Sequence, residues 1–142
     1  MDKQLSPEER ARYARHLILP EMGEEGQKKL KKSSVIVVGA GGLGSPTLLY
    51  LAAAGVGKIG IIDDDKVDIT NLQRQVIHST AAVGSLKVES AANRIRELNP
   101  EIEVVEHNTR LDVNNALQLL SDWDMVIDGT DNFPTRYTIN DA

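Results

Sequence analysis

Six residues near the start of the chain restrict its fold more than any other feature. Gly39-Ala40-Gly41-Gly42-Leu43-Gly44 stands between a β-branched apolar run, Ser34 to Val38, and a Leu- and Ala-rich run, Pro46 to Ala54, closed by Gly55. The first run reads as a strand buried on both faces of a parallel sheet, the second as a helix. Glycines in the pattern G-x-G-x-x-G permit a tight strand-to-helix turn and let an anion approach the main chain. The helix that follows points its free N–H groups and positive dipole end at that anion. Glycines there can also serve a tight turn alone.

The rest of the chain repeats the alternation. Lys58 to Ile62 reads as a second buried strand ending in Asp63, Asp64 and Asp65. Val88, Ala91, Ala92, Ile95 and Leu98 share one face of a helix from Leu86 to Leu98, which Asn99-Pro100 ends. Ile102 to Glu106 is a third strand, Val113 to Leu120 a short helix, and Met125 to Ile127 a fourth strand opening into Gly129-Thr130-Asp131-Asn132. Right-handed crossovers then give an α/β, Rossmann-like parallel sheet with flanking helices, its ligand crevice at the carboxyl ends of the strands. Ahead of it, Ser6-Pro7-Glu8-Glu9 is a strong helix start, predicting a helix to about Leu17 and a second from Glu24 to Lys31. The expected organisation is an N-terminal helical segment over 1–33 and a nucleotide-binding domain over 34–142, incomplete at its C-terminal end.

Composition narrows the function classes. With 142 residues, 41% of them hydrophobic and 26% charged, one globular core is expected. A net charge of -5 with no isolated basic run argues against a nucleic-acid surface. No apolar run approaches membrane-spanning length and the charged N-terminus is unlike a secretion signal, so a cytoplasmic location is expected. The absence of cysteine removes disulfides, thiolate nucleophiles and cysteine zinc sites together. NFPTRYTINDA reads as the opening of a helix that the sequence leaves unfinished, as in a piece of a longer protein.

Asp63, about 20 residues past the glycine loop, can accept hydrogen bonds from ribose hydroxyls, which favours a nucleotide without distinguishing ATP from NAD. His16, His78 and His107 are scattered and read as structural or surface residues, and Trp123 and Tyr50 as core. Ser45 reads as a helix cap, and Asp64, Asp65 and Asp68 as loop caps or solvated charges.

The discriminating stretch is Asp63-Asp64-Asp65-Lys66-Val67-Asp68-Ile69-Thr70-Asn71-Leu72-Gln73-Arg74-Gln75. It resembles the signature of the MoeB/ThiF adenylyltransferases, which share a nucleotide-binding domain with ubiquitin-activating enzymes. Arg12-Tyr13-Ala14-Arg15-His16, GAGGLGS, VGSLKVES and DGTDN resemble four further motifs of that family, in order and at its spacing.

The resemblance implies that ATP adenylates the C-terminal glycine carboxylate of a ubiquitin-like sulfur-carrier protein ending in Gly-Gly, with release of pyrophosphate. It assigns the phosphate region to Gly39, Gly41, Gly42 and Gly44, and the ribose to Asp63. Thr70, Asn71, Leu72, Gln73 and Arg74 fall in the nucleotide-binding signature, where Asn71 and Arg74, with Lys87, hold the triphosphate. Mg2+ goes to Asp131, beside Asn132, and Arg15 reaches the triphosphate of the opposite subunit of a homodimer. Arg15, Arg74, Lys87 and Asp131 are thus the expected catalytic set. Relatives also carry a structural zinc on paired C-x-x-C motifs and, in some, a reactive cysteine; with no cysteine, this sequence has no ligands for that zinc and no means of sulfur transfer. The alternatives are an NAD-dependent oxidoreductase, which leaves Asn71, Arg74, Lys87 and Asp131 without work, and a non-catalytic nucleotide-binding or dimerisation module.

Overall fold

A computed structural model describes residues 4–130 and 139–140. Four strands, β1 (Ser34–Val38), β2 (Lys58–Ile62), β3 (Glu103–His107) and β4 (Met125–Asp128), form one parallel sheet in the order β3-β2-β1-β4. The chain steps outward from β1 to β3, then returns to the other side of β1, so the strand order reverses between β1 and β4. Above such a reversal, helices diverge to opposite faces and leave a crevice at the carboxyl ends.

Helix α4 (Gly44–Ala54) and helix α5 (Lys87–Leu98) cover one face of the sheet. There Val35, Val37, Ile59 and Ile61 pack with Leu48, Ala52, Val88, Ala91, Ala92 and Ile95 in the main core. The alternate residues Ile36, Val38 and Ile62 face the other side, against Leu111 and helix α6 (Ala116–Leu120). Position 60 faces that second side too, and a Cβ there would stand only 2.6 Å from the Trp123 ring, which glycine avoids.

The N-terminal segment is helical but not continuous. The helix expected from Ser6 to Leu17 divides into α1 (Pro7–Arg12) and α2 (Ala14–Leu17), with Tyr13 between them at φ -102°, ψ 17°. The break lets the buried Tyr13 ring enter the core and its hydroxyl accept a 2.7 Å bond from Asn99 Nδ2. Ser6 and Glu9 close the predicted start as a reciprocal capping box. Helix α3 (Gly23–Lys32) follows, and its buried Gln27 donates to the carbonyl of Ala54 at the end of α4. Asn99 donates to the Ala52 carbonyl, which also accepts from the Gly55 N–H, so two side-chain amides bond to the last turn of α4.

Several local readings are corrected. Tyr50 lies on the outer side of α4 and is 76% exposed, whereas Trp123, half-buried, does pack against the second core. Helix α6 starts at Ala116 rather than Val113, because the Asp112 carboxylate accepts from the N–H groups of Asn114 and Asn115 and holds that stretch as a turn. Ser45 is not a cap: α4 begins at Gly44, and Ser45 sits one residue inside it, fully buried, its hydroxyl without a partner among the described residues.

Candidate functional site

The carboxyl ends of the strands open into a cleft of about 610 Å³ whose lining includes Gly39, Gly41, Gly42, Asp63, Asn71, Arg74, Gln75 and Lys87. The glycine loop forms its floor. Gly39, at φ +99°, turns the chain off β1, and Gly44 closes the loop so tightly that a Cβ there would overlap the Gly39 carbonyl oxygen at 1.8 Å. Gly44 is therefore required for packing and does not line the cleft, whereas Gly41 and Gly42 do.

Asp63, at the end of β2, accepts from the Ala40 N–H through Oδ2 at 2.8 Å and from the Asp65 N–H through Oδ1 at 2.9 Å. It ties the second strand to the glycine loop, and each oxygen keeps a further lone pair for a ligand hydroxyl. The carboxylates of Asp63, Asp64 and Asp65 approach within 4.8 Å of one another, but Asp64 and Asp65 are exposed and Asp63 is committed to backbone.

The crossover between β2 and α5 supplies the polar wall. Asp68 caps a short 3-10 turn, Ile69–Asn71, accepting from the Thr70 N–H and hydroxyl, and those bonds hold its carboxyl below the ordinary range. The Asn71 side-chain oxygen Oδ1 accepts from the Asp68 N–H at 3.0 Å. This box turns Asn71 and Arg74 to the cleft, while Thr70, Leu72 and Gln73 are not among its lining residues. Arg74 donates to the Thr70 carbonyl at 3.2 Å and lies beside Gly42.

Lys87 is the most informative residue. It opens α5, where a cation meets the unfavourable positive end of the helix dipole. It is also 6% exposed, and the nearest carboxylate among the described residues, that of the exposed Asp65, is 3.9 Å away. A buried ammonium with so distant a partner is compensated well by an anion in the cleft. Glycine N–H groups, Lys87 and Arg74 therefore fit a phosphate chain, and Asp63 a polyol beside it.

Of the other expected residues, Arg15 lies exposed on α2 and outside this cleft. Asp131 and Asn132 lie outside the described residues, although Gly129 and Thr130, just before them, line the cleft. Sequence reasoning missed Gln75, Thr109, Arg110 and Leu111 as lining residues. The last three follow β3 directly, so their position after a parallel strand was a usable signal. Gln75 closes the signature stretch but carried no assigned role, because its burial comes from the fold of the crossover.

Comparison with known proteins agrees with this geometry. A probable adenylyltransferase/sulfurtransferase MoeZ from Mycobacterium tuberculosis is 60% identical over 138 residues, 97% of this chain and 35% of that protein. The adenylyltransferase and sulfurtransferase MOCS3 of Aedes aegypti is 56% identical over 138 residues, 97% of this chain and 32% of its own length. The chain thus spans about a third of these curated relatives. Among solved structures, the E. coli tRNA N6-threonylcarbamoyladenosine dehydratase TcdA in complex with ATP superposes with a TM-score of 0.91 at 33% identity, covering 96% of this chain and 56% of that one. The model of the ThiF family matches residues 13–142, and the chain belongs to that family.

Proposed function

We propose that this chain builds the ATP side of an adenylation site, in which the C-terminal glycine carboxylate of a ubiquitin-like sulfur carrier becomes an acyl-adenylate. The observation that carries the reading is Lys87, a buried cation at a helix N-terminus facing a glycine loop. The relatives' names, adenylyltransferase in MoeZ and MOCS3, and the ATP complex of TcdA support it.

A carboxylate oxygen of the carrier attacks the α-phosphorus of ATP, the bond to the bridging oxygen of the β-phosphate breaks, and pyrophosphate leaves. Nucleophile and triphosphate repel each other, so the protein's task is to neutralise charge and align the reactants. The N–H groups of Gly41 and Gly42 receive phosphate oxygens, and Asp63 accepts from the ribose. Lys87, Arg74 and Asn71 follow charge onto the departing pyrophosphate, Arg74 with a planar fork of donors and Lys87 as a point charge. Asp131, with Asn132 next to it in sequence, would hold the magnesium ion, which when bound would screen the phosphate oxygens. Arg15, outside its own cleft, reaches the triphosphate of a second copy in a homodimer.

Calorimetric titration with Mg-ATP, against NADH as control, is the direct test. Saturable ATP binding with none of NADH is expected, and the reverse preference would replace this reading with an oxidoreductase. In carrier-dependent ATP–pyrophosphate exchange by the full chain, Lys87→Ala and Asp131→Ala are each expected to lose about 100-fold or more. Arg15→Ala and Arg74→Ala should fail singly and partly recover when mixed; no recovery after demonstrated subunit exchange removes Arg15 from the shared site.

A further inference from the structure

His78 has no role in the reaction described above, yet it is buried and both of its ring nitrogens are engaged. Nε2 lies 2.9 Å from the Ala40 carbonyl oxygen, inside the glycine loop, and Nδ1 lies 2.7 Å from Ser90 Oγ on α5. A carbonyl oxygen can only accept, so Nε2 carries the proton and donates. In the neutral ring Nδ1 then accepts from the Ser90 hydroxyl. Burial pushes the ring's pKa below its ordinary value, the Ala40 carbonyl opposes that shift, the Lys87 ammonium adds to it and the Asp63 carboxylate opposes it. The net direction favours the neutral form.

The consequence lies in the geometry of one peptide unit. The carbonyl of Ala40 and the N–H of Gly41 belong to the same planar trans peptide and point in opposite directions. Holding the carbonyl against His78 turns the Gly41 N–H away from it, and Gly41 lines the cleft. The other side of Ala40 is held as well, its N–H donating to Asp63 Oδ2 at 2.8 Å. Ala40 is therefore clamped between two side chains from different elements. Ser90, the hydroxyl behind His78, stands on the same helix as Lys87 and three residues after it. The ring thus connects the loop to the helix bearing the buried cation.

We propose that His78 is a positioning residue for the nucleotide phosphates: as the Nε2–H tautomer it fixes the direction of the Gly41 N–H and holds the glycine loop in register with Lys87. The role depends on the adenylation reading. It assigns to Asp63 a second duty, as the opposite jaw of the clamp, in addition to any contact with ribose. Gly41, lacking a side chain, needs such an external hold, because its own backbone preferences do not select one orientation.

Two measurements on the full chain test this. Long-range 15N–1H correlation of the His78 ring in the unliganded protein should show a neutral imidazole protonated at Nε2; an Nδ1–H ring overturns the proposal, and no variant is needed. Calorimetric titration with Mg-ATP should then show binding weakened roughly five- to tenfold in His78→Phe, the scale of one lost buried hydrogen bond. His78→Gln, whose amide can donate to Ala40 and accept from Ser90, should return to within about threefold of the unmodified chain. Equal ATP affinity in the unmodified chain and in folded His78→Phe overturns the positioning role while leaving adenylation standing. Failure of the unmodified chain to bind ATP at all overturns the adenylation reading itself, and the positioning role with it.

Discussion

The two faces of the sheet are built differently. On one, α4 and α5 bury Val35, Val37, Ile59 and Ile61 under two long helices, with Leu49, Leu51, Leu86 and Leu98 packed around them. On the other, among the described residues, Ile36, Val38 and Ile62 meet only the five-residue α6, Leu111 and a border of half-buried side chains that includes Trp123. The residues that face the proposed phosphates, Gly41, Gly42 and Lys87, belong to the loop and helix of the thick face. The lining residues from the thin side, Thr109 to Leu111, come from the loop after β3. The residues proposed to meet phosphate thus belong to the more thickly covered of the two faces among the described residues.

Matched truncations would break this comparison most directly. Ile61 and Ile36 are both fully buried on neighbouring strands but face opposite sides. In urea denaturation Ile61→Ala should cost about 4 kcal/mol and Ile36→Ala about 2, because the thinner layer can relax into the space left behind. Equal losses would mean that the faces are equally rigid. Gly60→Ala sharpens the same point. Its Cβ would stand 2.6 Å from Trp123 and 3.0 Å from Ile36, so the indole must move, at about 1 to 2 kcal/mol. As Trp123 is the chain's only tryptophan, its emission should shift in this variant. In the unmodified chain the same emission should change at lower urea than the far-ultraviolet dichroism does; coincident transitions would argue against early loosening of the thin face.

The smallest expected effect is a pH dependence, and it belongs to the thick face. His78 is packed between the glycine loop and α5, facing Ala40, Ser90, Lys87 and Asp63, and its pKa lies below the ordinary 6.5. Below about 6.5 the unfolded chain binds the proton more readily than the folded one does. Stability from this residue is therefore complete above that value and declines as pH falls towards and through the folded pKa. A midpoint of urea denaturation followed from pH 7.5 to 5.5 should show that slope, and His78→Gln should flatten it.

The strands were the most legible part of the chain. Ser34 to Val38 and Lys58 to Ile62 begin and end where expected, because short β-branched runs between glycines and acids leave little choice of phase. Helix limits were less legible. Tyr13 breaks a pattern that reads as continuous, since the reason is a hydrogen bond to Asn99, 86 residues away. Tyr50 misled because α4 is apolar on nearly every side, which hides its outward face. In the site, Gly41, Gly42, Asp63, Asn71, Arg74 and Lys87 were foreseen and are brought together at one cleft. The clamp on Ala40 was not, because the spacing of three scattered histidines carries no trace of the carbonyl that one of them would meet.

The amides of Gln27 and Asn99, bonded to the carbonyls of Ala54 and Ala52, have a mechanical meaning. Helix α4, roughly 16 Å long at 1.5 Å per residue, is gripped at one end by the N-terminal segment and carries the glycine loop at the other. A displacement of the N-terminal segment would thereby be passed along a single stiff element to the backbone proposed to meet the phosphates. The exposed Arg15 and the glycine loop of the same chain, though they share no cleft, are the two ends of one linkage.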